Sequence, residues 1–224
     1  MGTPGKRCAK SLDPNETREW WLNDRIADKV EKLLKNYTGY ELIRTDDTTG
    51  KKEISLTART NAANNFKADF YLSIHHNAAF DTGRTFDGGG IEVYTYTKTS
   101  TASAEWQKDL YNALIAHTGL KGNRVSPLVK ANLHEVRETK MPAVLLELGY
   151  MDSRQDVPVI LTEKYADQCA AAIVEVLVKR GKLTKKATQP AKLYRVQVGA
   201  YSQKANAEAM QKKLKAAGYD AIIV

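Results

Sequence analysis

Two short apolar runs, Phe70–Ile74 (FYLSI) and Ala143–Leu148 (AVLLEL), constrain this chain more than any other feature. Both are of strand length, and continuous apolar character over so few residues marks a strand covered on both faces. Around them the apolar spacing changes to that of helices. In Asn15–Asn36, Leu22, Ile26, Val30 and Leu33 or Leu34 recur at helical spacing. Asn15 is the expected N-cap, and Glu16 and Glu19 sit near the positive end of the helix dipole. Leu56–Lys67, Ser103–His117 and Thr162–Arg180 read as three more helices. Tyr40–Arg44 (YELIR) and Ile91–Tyr96 read as further strands, and Asp46–Lys51 (DDTTGK) as a turn. Strands that alternate with helices predict an α/β fold, a twisted and mostly parallel sheet flanked by helices.

A chain of 224 residues, 42% hydrophobic and 27% charged, accommodates one full domain and a small second module. Its 2 cysteines, Cys8 and Cys169, exclude a disulfide scaffold and a CxxC metal site. No apolar run approaches the roughly 18 residues of a membrane helix. The opening MGTPGKRCAK has no apolar core behind its charges, so no signal peptide is expected in this chain. The net charge of +8 is uneven: nine cations and two anions between Gly181 and Val224 leave the first 180 residues nearly neutral. A neutral body with a basic tail suits an anionic polymer as partner. Solvated linker and helix charge is the plain alternative. Gly181–Ala191 is polar, basic and contains Pro, which marks a linker. Beyond it, Leu193–Val198, Lys204–Ala217 and Tyr219–Val224 read as a small strand–helix–strand unit. The tail carries no RNA or DNA motif, so nucleic acid is not an expected partner.

Three polar residues stand where burial is expected. Glu19 shares a helix stripe with Leu22, Asn23 and Ile26. It either compensates the dipole, pairs with an arginine, or serves a site. His75 ends the FYLSI strand, where open α/β sheets gather their functional groups. His76, next to it, points to the opposite face. Glu147 is the only charge within AVLLEL, again near a strand's C-terminal end. Burial raises a carboxyl pKa, which suits a general acid/base. A helix Glu, a strand His and a strand Glu are together the parts of a mononuclear zinc hydrolase, whose metal activates water while a separate Glu moves the proton. The count is short, because Glu19 and His75 are only two ligands.

These residues lie in motifs that resemble the zinc-dependent N-acetylmuramoyl-L-alanine amidases of type 3, found in bacterial cell-wall hydrolases and phage endolysins. The resemblance runs from Thr3 to Arg180 through TPGKR, REWWLN, LTARTNAANNFKADFYLSIHHNA and MPAVLLELGYMDS. It implies Glu19 and His75 as zinc ligands and Glu147 as catalytic acid/base, with one zinc ion per chain. The implied reaction is cleavage of the amide between N-acetylmuramic acid and L-alanine. The family opens with a strand and a Gly-His turn that supplies the first zinc ligand. This sequence starts after that turn, so the expectation is a truncated catalytic domain over 1–180, lacking its first strand and with an incomplete zinc site. His76, His117 and His134 do not match the missing position. His117 reads as a helix C-terminal residue meeting the dipole, and His134 as a loop residue near the cleft. A wall-binding remnant without catalysis is the alternative. Cys8 has no assigned role, and the Gly-rich segment 83–90 is expected to be a flexible loop beside the cleft. Leu193–Val224 is similar to the first half of a sporulation-related (SPOR) repeat, which implies peptidoglycan binding by residues 192–224 after a linker at 181–191. The implied setting is the cell wall, reached by export or phage-mediated release, with a monomer expected.

Overall fold

The computed structural model describes residues 7–80, 83–187 and 196–224. The chain divides into two compact units, 1–186 and 187–224. In the first, the described elements are α1 (Glu19–Leu34), β1 (Tyr37–Thr38), α2 (Leu56–Phe66), β2 (Tyr71–Asn77), β3 (Ile91–Tyr96), α3 (Thr101–Thr118), β4 (Leu128–Ala131), α4 (His134–Arg137), β5 (Ala143–Tyr150), α5 (Val157–Ile160), α6 (Glu163–Gly181) and β6 (Thr184–Lys185). Four strands form the main sheet in the order β2-β5-β3-β4. The β2–β5 and β3–β4 pairs are parallel, and β3 meets β5 antiparallel. The sheet is thus mixed, a parallel majority of pairings joined by one antiparallel seam.

Alternation along the strands sorts side chains onto two faces. Val144, Leu146 and Leu148 of β5, with Ile91 and Val93 of β3, pack against the helical layer. The stripe Leu22, Ile26, Val30 and Leu34 of α1 is buried there, as is Cys169–Val176 of α6 at Cys169, Ala170, Ala172, Ile173, Val174 and Val176. The opposite face carries Tyr71, Ala143 and Leu145 under Ala63 of α2 and Val136 of α4. β5 is covered on both faces, which is why its sequence reads as an almost unbroken apolar run.

Several local signals act as expected. Ser55, Ser100 and Thr162 cap α2, α3 and α6 by accepting from Ala58, Ser103 and Tyr165 backbone N–H groups. Gly119 closes α3 at φ 70°. Others differ. Asn15 does not cap α1, which begins at Glu19 after Arg18. The preceding residues instead wrap around Asp13, whose carboxylate accepts from Asn15 and Thr17 N–H groups. Tyr40–Arg44 forms no strand. Arg44 is drawn instead into ion pairs with Asp24 at 2.7 Å and Asp46 at 2.6 Å, holding the segment by its side chains. The strand nearby is Tyr37–Thr38, paired antiparallel with Thr184–Lys185 inside the segment expected as linker. β4, α4 and α5 were not anticipated, being too short for periodicity to show.

The second unit contains α7 (Lys204–Ala216). Leu193–Arg195 lies outside the described residues. Val196–Val198 and Tyr219–Val224 are not in strands, because neither is hydrogen-bonded to a neighbouring strand among the described residues. After α7, Tyr219 N–H bonds Leu214 O at 3.0 Å, and Gln211 Nε2 donates to Ala221 O at 2.9 Å.

Leu146 is fully buried at the centre of β5. Leu146→Ala is expected to cost about 2–5 kcal/mol, read from the shift in urea midpoint. A loss below about 1 kcal/mol would mean that β5 is not the packed centre of this sheet.

Candidate functional site

The site is assembled at the end of β2, and the position of Glu19 is prepared first. Asp13 anchors the turn before α1, with Thr17 N–H at 2.7 Å. Arg25, further along α1, donates to Ile160 O at 2.8 Å and Leu161 O at 3.2 Å, which fixes α1 against the end of α5. Glu19 is therefore delivered to the sheet by a held helix, and it is only 5% exposed.

There it meets His75, whose Nδ1–H donates to Glu19 Oε1 at 2.7 Å. His75 Nε2 lies 2.9 Å from Ser73 Oγ on the same strand face, and 3.9 Å from Glu135 Oε1 of α4. Burial pushes His75 down, but the hydrogen bond and charge of Glu19, with the charges of Glu147 and Glu135, outweigh it and raise its pKa above the ordinary value. Glu147 stands beside His75 in the parallel β2–β5 register. Across the antiparallel seam Glu147 is opposite Glu92. One transverse row of the sheet thus reads His75, Glu147, Glu92. The structure brings Glu19, His75 and Glu147 together from three distant stretches of chain.

Like charges side by side on a sheet are destabilising unless something answers them. Glu92 is answered by donors. The Tyr94 and Tyr150 hydroxyls donate to its Oε2 at 3.0 and 2.5 Å, and Asn77 Nδ2 at 3.4 Å. Arg124 Nη1 lies 3.7 Å from Glu92 Oε1 and donates to the Tyr150 hydroxyl at 3.0 Å. Burial first, and then Glu92, push both phenols well above their ordinary range, so they stay protonated as donors. Sequence reasoning missed Glu92 and Glu135. Glu92 had the same signal as Glu147, a lone charge within an apolar strand. Glu135 had none, since α4 is a single turn.

The remaining histidines do not contact the Glu19 carboxylate. His76 points through the sheet to α1, is 1% exposed, and burial pushes it down to about 3. His134 Nε2 contacts Thr60 Oγ1 at 3.3 Å. His117, in the last turn of α3, bonds Glu175 at 2.8 Å. Cys8 is buried, with its thiol pushed up to about 12 by burial and by Asp13 and Asp152, the opposite of a reactive cysteine. The glycine loop does not form a flexible flap. Gly88–Gly90 are buried, and Gly90 and Tyr150 N–H groups both donate to Asp156 Oδ2, at 2.8 and 2.9 Å. Gly89, at φ 135°, has the Asp156 carboxylate where a Cβ would be. A cavity of about 1030 Å³ reaches from Ser73 and His75 along the edge strand β2 and α1, past Trp20, Arg44 and Trp106.

An imidazole nitrogen and a carboxylate oxygen are a suitable donor pair for zinc. Among the described residues no group of three or more His, Cys, Asp or Glu is arranged as a metal cage. The donor chemistry fits, with Glu19 and His75 as two candidate donors among the described residues.

Residues 2–179 match the N-acetylmuramoyl-L-alanine amidase family, and residues 190–224 match the SPOR domain. A sporulation-specific N-acetylmuramoyl-L-alanine amidase of Bacillus subtilis (strain 168) is 32% identical over 213 residues, covering 94% of this chain and 77% of that protein. The N-acetylmuramoyl-L-alanine amidase CwlM of Bacillus licheniformis is 32% identical over 225 residues, covering 100% and 82%. Among solved structures, the catalytic domain of the amidase CwlV from Bacillus (Paenibacillus) polymyxa var. colistinus superposes with a TM-score of 0.65 at 26% identity, over 80% of this chain and 89% of that one. An N-acetylmuramoyl-L-alanine amidase from Clostridium difficile 630 gives 0.65 at 31% identity, over 75% and 86%. The fold is that of N-acetylmuramoyl-L-alanine amidase catalytic domains. The chain belongs to the N-acetylmuramoyl-L-alanine amidase family, and its function is amide hydrolysis in peptidoglycan.

Burial pushes the Asp13 carboxyl up, but its bonds from Thr17 and Asn15 outweigh this and hold it below 3.8. The stability it contributes is complete above that ordinary value and is lost as pH falls through the lower folded one. Asp13→Asn should remove this part of the acid sensitivity, seen in urea melts taken between about pH 2 and 5. An unchanged acid slope would show that Asp13 does not anchor the start of α1.

Proposed function

We propose that Glu19 and His75 hold a catalytic zinc ion and that Glu147 is the acid/base of the hydrolysis. The observation that carries this reading is the 2.7 Å contact of His75 Nδ1 with Glu19 Oε1, with Glu147 in register beside His75. Zinc, when bound, polarises the scissile carbonyl and makes water nucleophilic near neutral pH. The side chain of Glu147 takes a proton from the attacking water. As oxygen joins the lactyl carbonyl carbon and the carbon–nitrogen bond breaks, the same carboxyl returns that proton to the departing L-alanine nitrogen. Glu19 and His75 are two of the about three protein ligands that such a centre uses. Ser73 and Glu135 orient the His75 ring from its Nε2 side, as outer groups do around metal-bound imidazoles.

The catalytic domain is assigned to residues 1–180, followed by a basic segment 181–191 whose Thr184–Lys185 still pairs with Tyr37–Thr38, and wall binding to 192–224. The SPOR match and the excess of cations there support a tail that holds the enzyme on glycan strands. The cell wall is the place of action, reached by export or phage-mediated release, and one chain acts alone. No helix among the described residues is long and apolar enough to cross a membrane.

Peptidoglycan incubated with the purified chain should gain free N-terminal L-alanine. Glu147→Gln is expected to lower that rate by about 10²–10⁴ with the fold intact by circular dichroism. Chelation should abolish turnover and added zinc restore it, which separates an amidase from a wall-binding protein. A Glu147→Gln variant as active as the parent would remove Glu147 from the mechanism.

A further inference from the structure

His76 is buried beside the site and takes no part in the chemistry above. Its Nδ1 lies 2.8 Å from Asn23 Oδ1, and Asn23 Nδ2 lies 3.2 Å from Glu19 Oε1. Hydrogen-bond roles along this chain follow from donor inventory alone. A carboxylate only accepts, so Asn23 must turn its NH₂ toward Glu19. Its carbonyl oxygen then faces His76, and an oxygen there only accepts, so His76 Nδ1 must carry the hydrogen. His76 Nε2 has no hydrogen-bond partner among the described residues. The hydrogen bond of this buried ring therefore holds the Asn23 amide the right way round. Without it, the amide could rotate and set its oxygen against the Glu19 carboxylate.

We propose that His76 is a positioning residue for the metal centre: through Asn23 it fixes the Glu19 carboxylate that His75 meets from the other side. The two adjacent histidines, directed to opposite faces by the strand, act on one carboxylate, His75 directly and His76 through Asn23. The part played by zinc rests on the function proposed above. The orientation of Glu19 does not, and it is tested without metal.

In the ¹⁵N-labelled, metal-free chain, His76 should show the Nδ1–H tautomer. The His75 Nδ1–H signal should shift in His76→Phe and again in Asn23→Ala, which removes the linking amide and keeps a good helix former in α1. His76→Asn, whose side-chain NH₂ falls near the position of Nδ1, should restore the parent signal. Zinc affinity, by chelator competition, should fall about 10–100-fold in His76→Phe and in Asn23→Ala. The double variant should bind no more weakly than Asn23→Ala, because both act through one chain of bonds. The proposal is overturned if folded His76→Phe and Asn23→Ala leave the His75 signal of the parent unchanged, or if the two losses of affinity multiply. If the parent takes up no zinc while the metal-free shifts appear, the zinc reading fails and the positioning role stands.

Discussion

The bond between His75 and Glu19 is the point on which this structure turns. It joins the first helix to the end of an edge strand across 56 residues of chain. A carboxylate and an imidazole withdrawn from water to this degree are costly unless they answer one another. Everything that holds α1 serves this meeting: the turn around Asp13, the arginine reaching the end of α5, and the apolar stripe below. The sheet does the rest, because parallel register alone places Glu147 beside His75.

The environment around that bond is strongly acidic, and it is acidic by design of position rather than by net charge. Glu19, Glu135 and Glu147 come from three different elements and surround one histidine, with Glu92 one strand further along the row. The first 180 residues are close to neutral overall, so the negative field is local. Glu92 is satisfied by two phenols, an amide and a nearby arginine.

Much of this was legible in the chain. A lone charge inside an apolar strand exposed Glu147, and a histidine at a strand's end exposed His75, because burial makes polar residues conspicuous. Glu19 was ambiguous, since a first-turn glutamate has a helix dipole to serve. Glu92 carried the same signal as Glu147 and was passed over in a strand rich in tyrosine. The Tyr40–Arg44 segment has the residues of a strand, but Arg44 found carboxylates on α1 and in its own loop, and those contacts override local propensity. Short elements such as α4 left no periodic trace.

The residues alone settled the alternation of strand and helix and the doubly covered β5, and they marked Glu147, His75 and the basic tail as candidates. These follow from short-range rules of burial and spacing. Which strand lies beside which, the antiparallel seam that sets Glu92 against Glu147, and the path from His76 through Asn23 to Glu19 were decided by packing. Each joins groups far apart along the chain, and no local pattern records a distance that only the folded sheet creates.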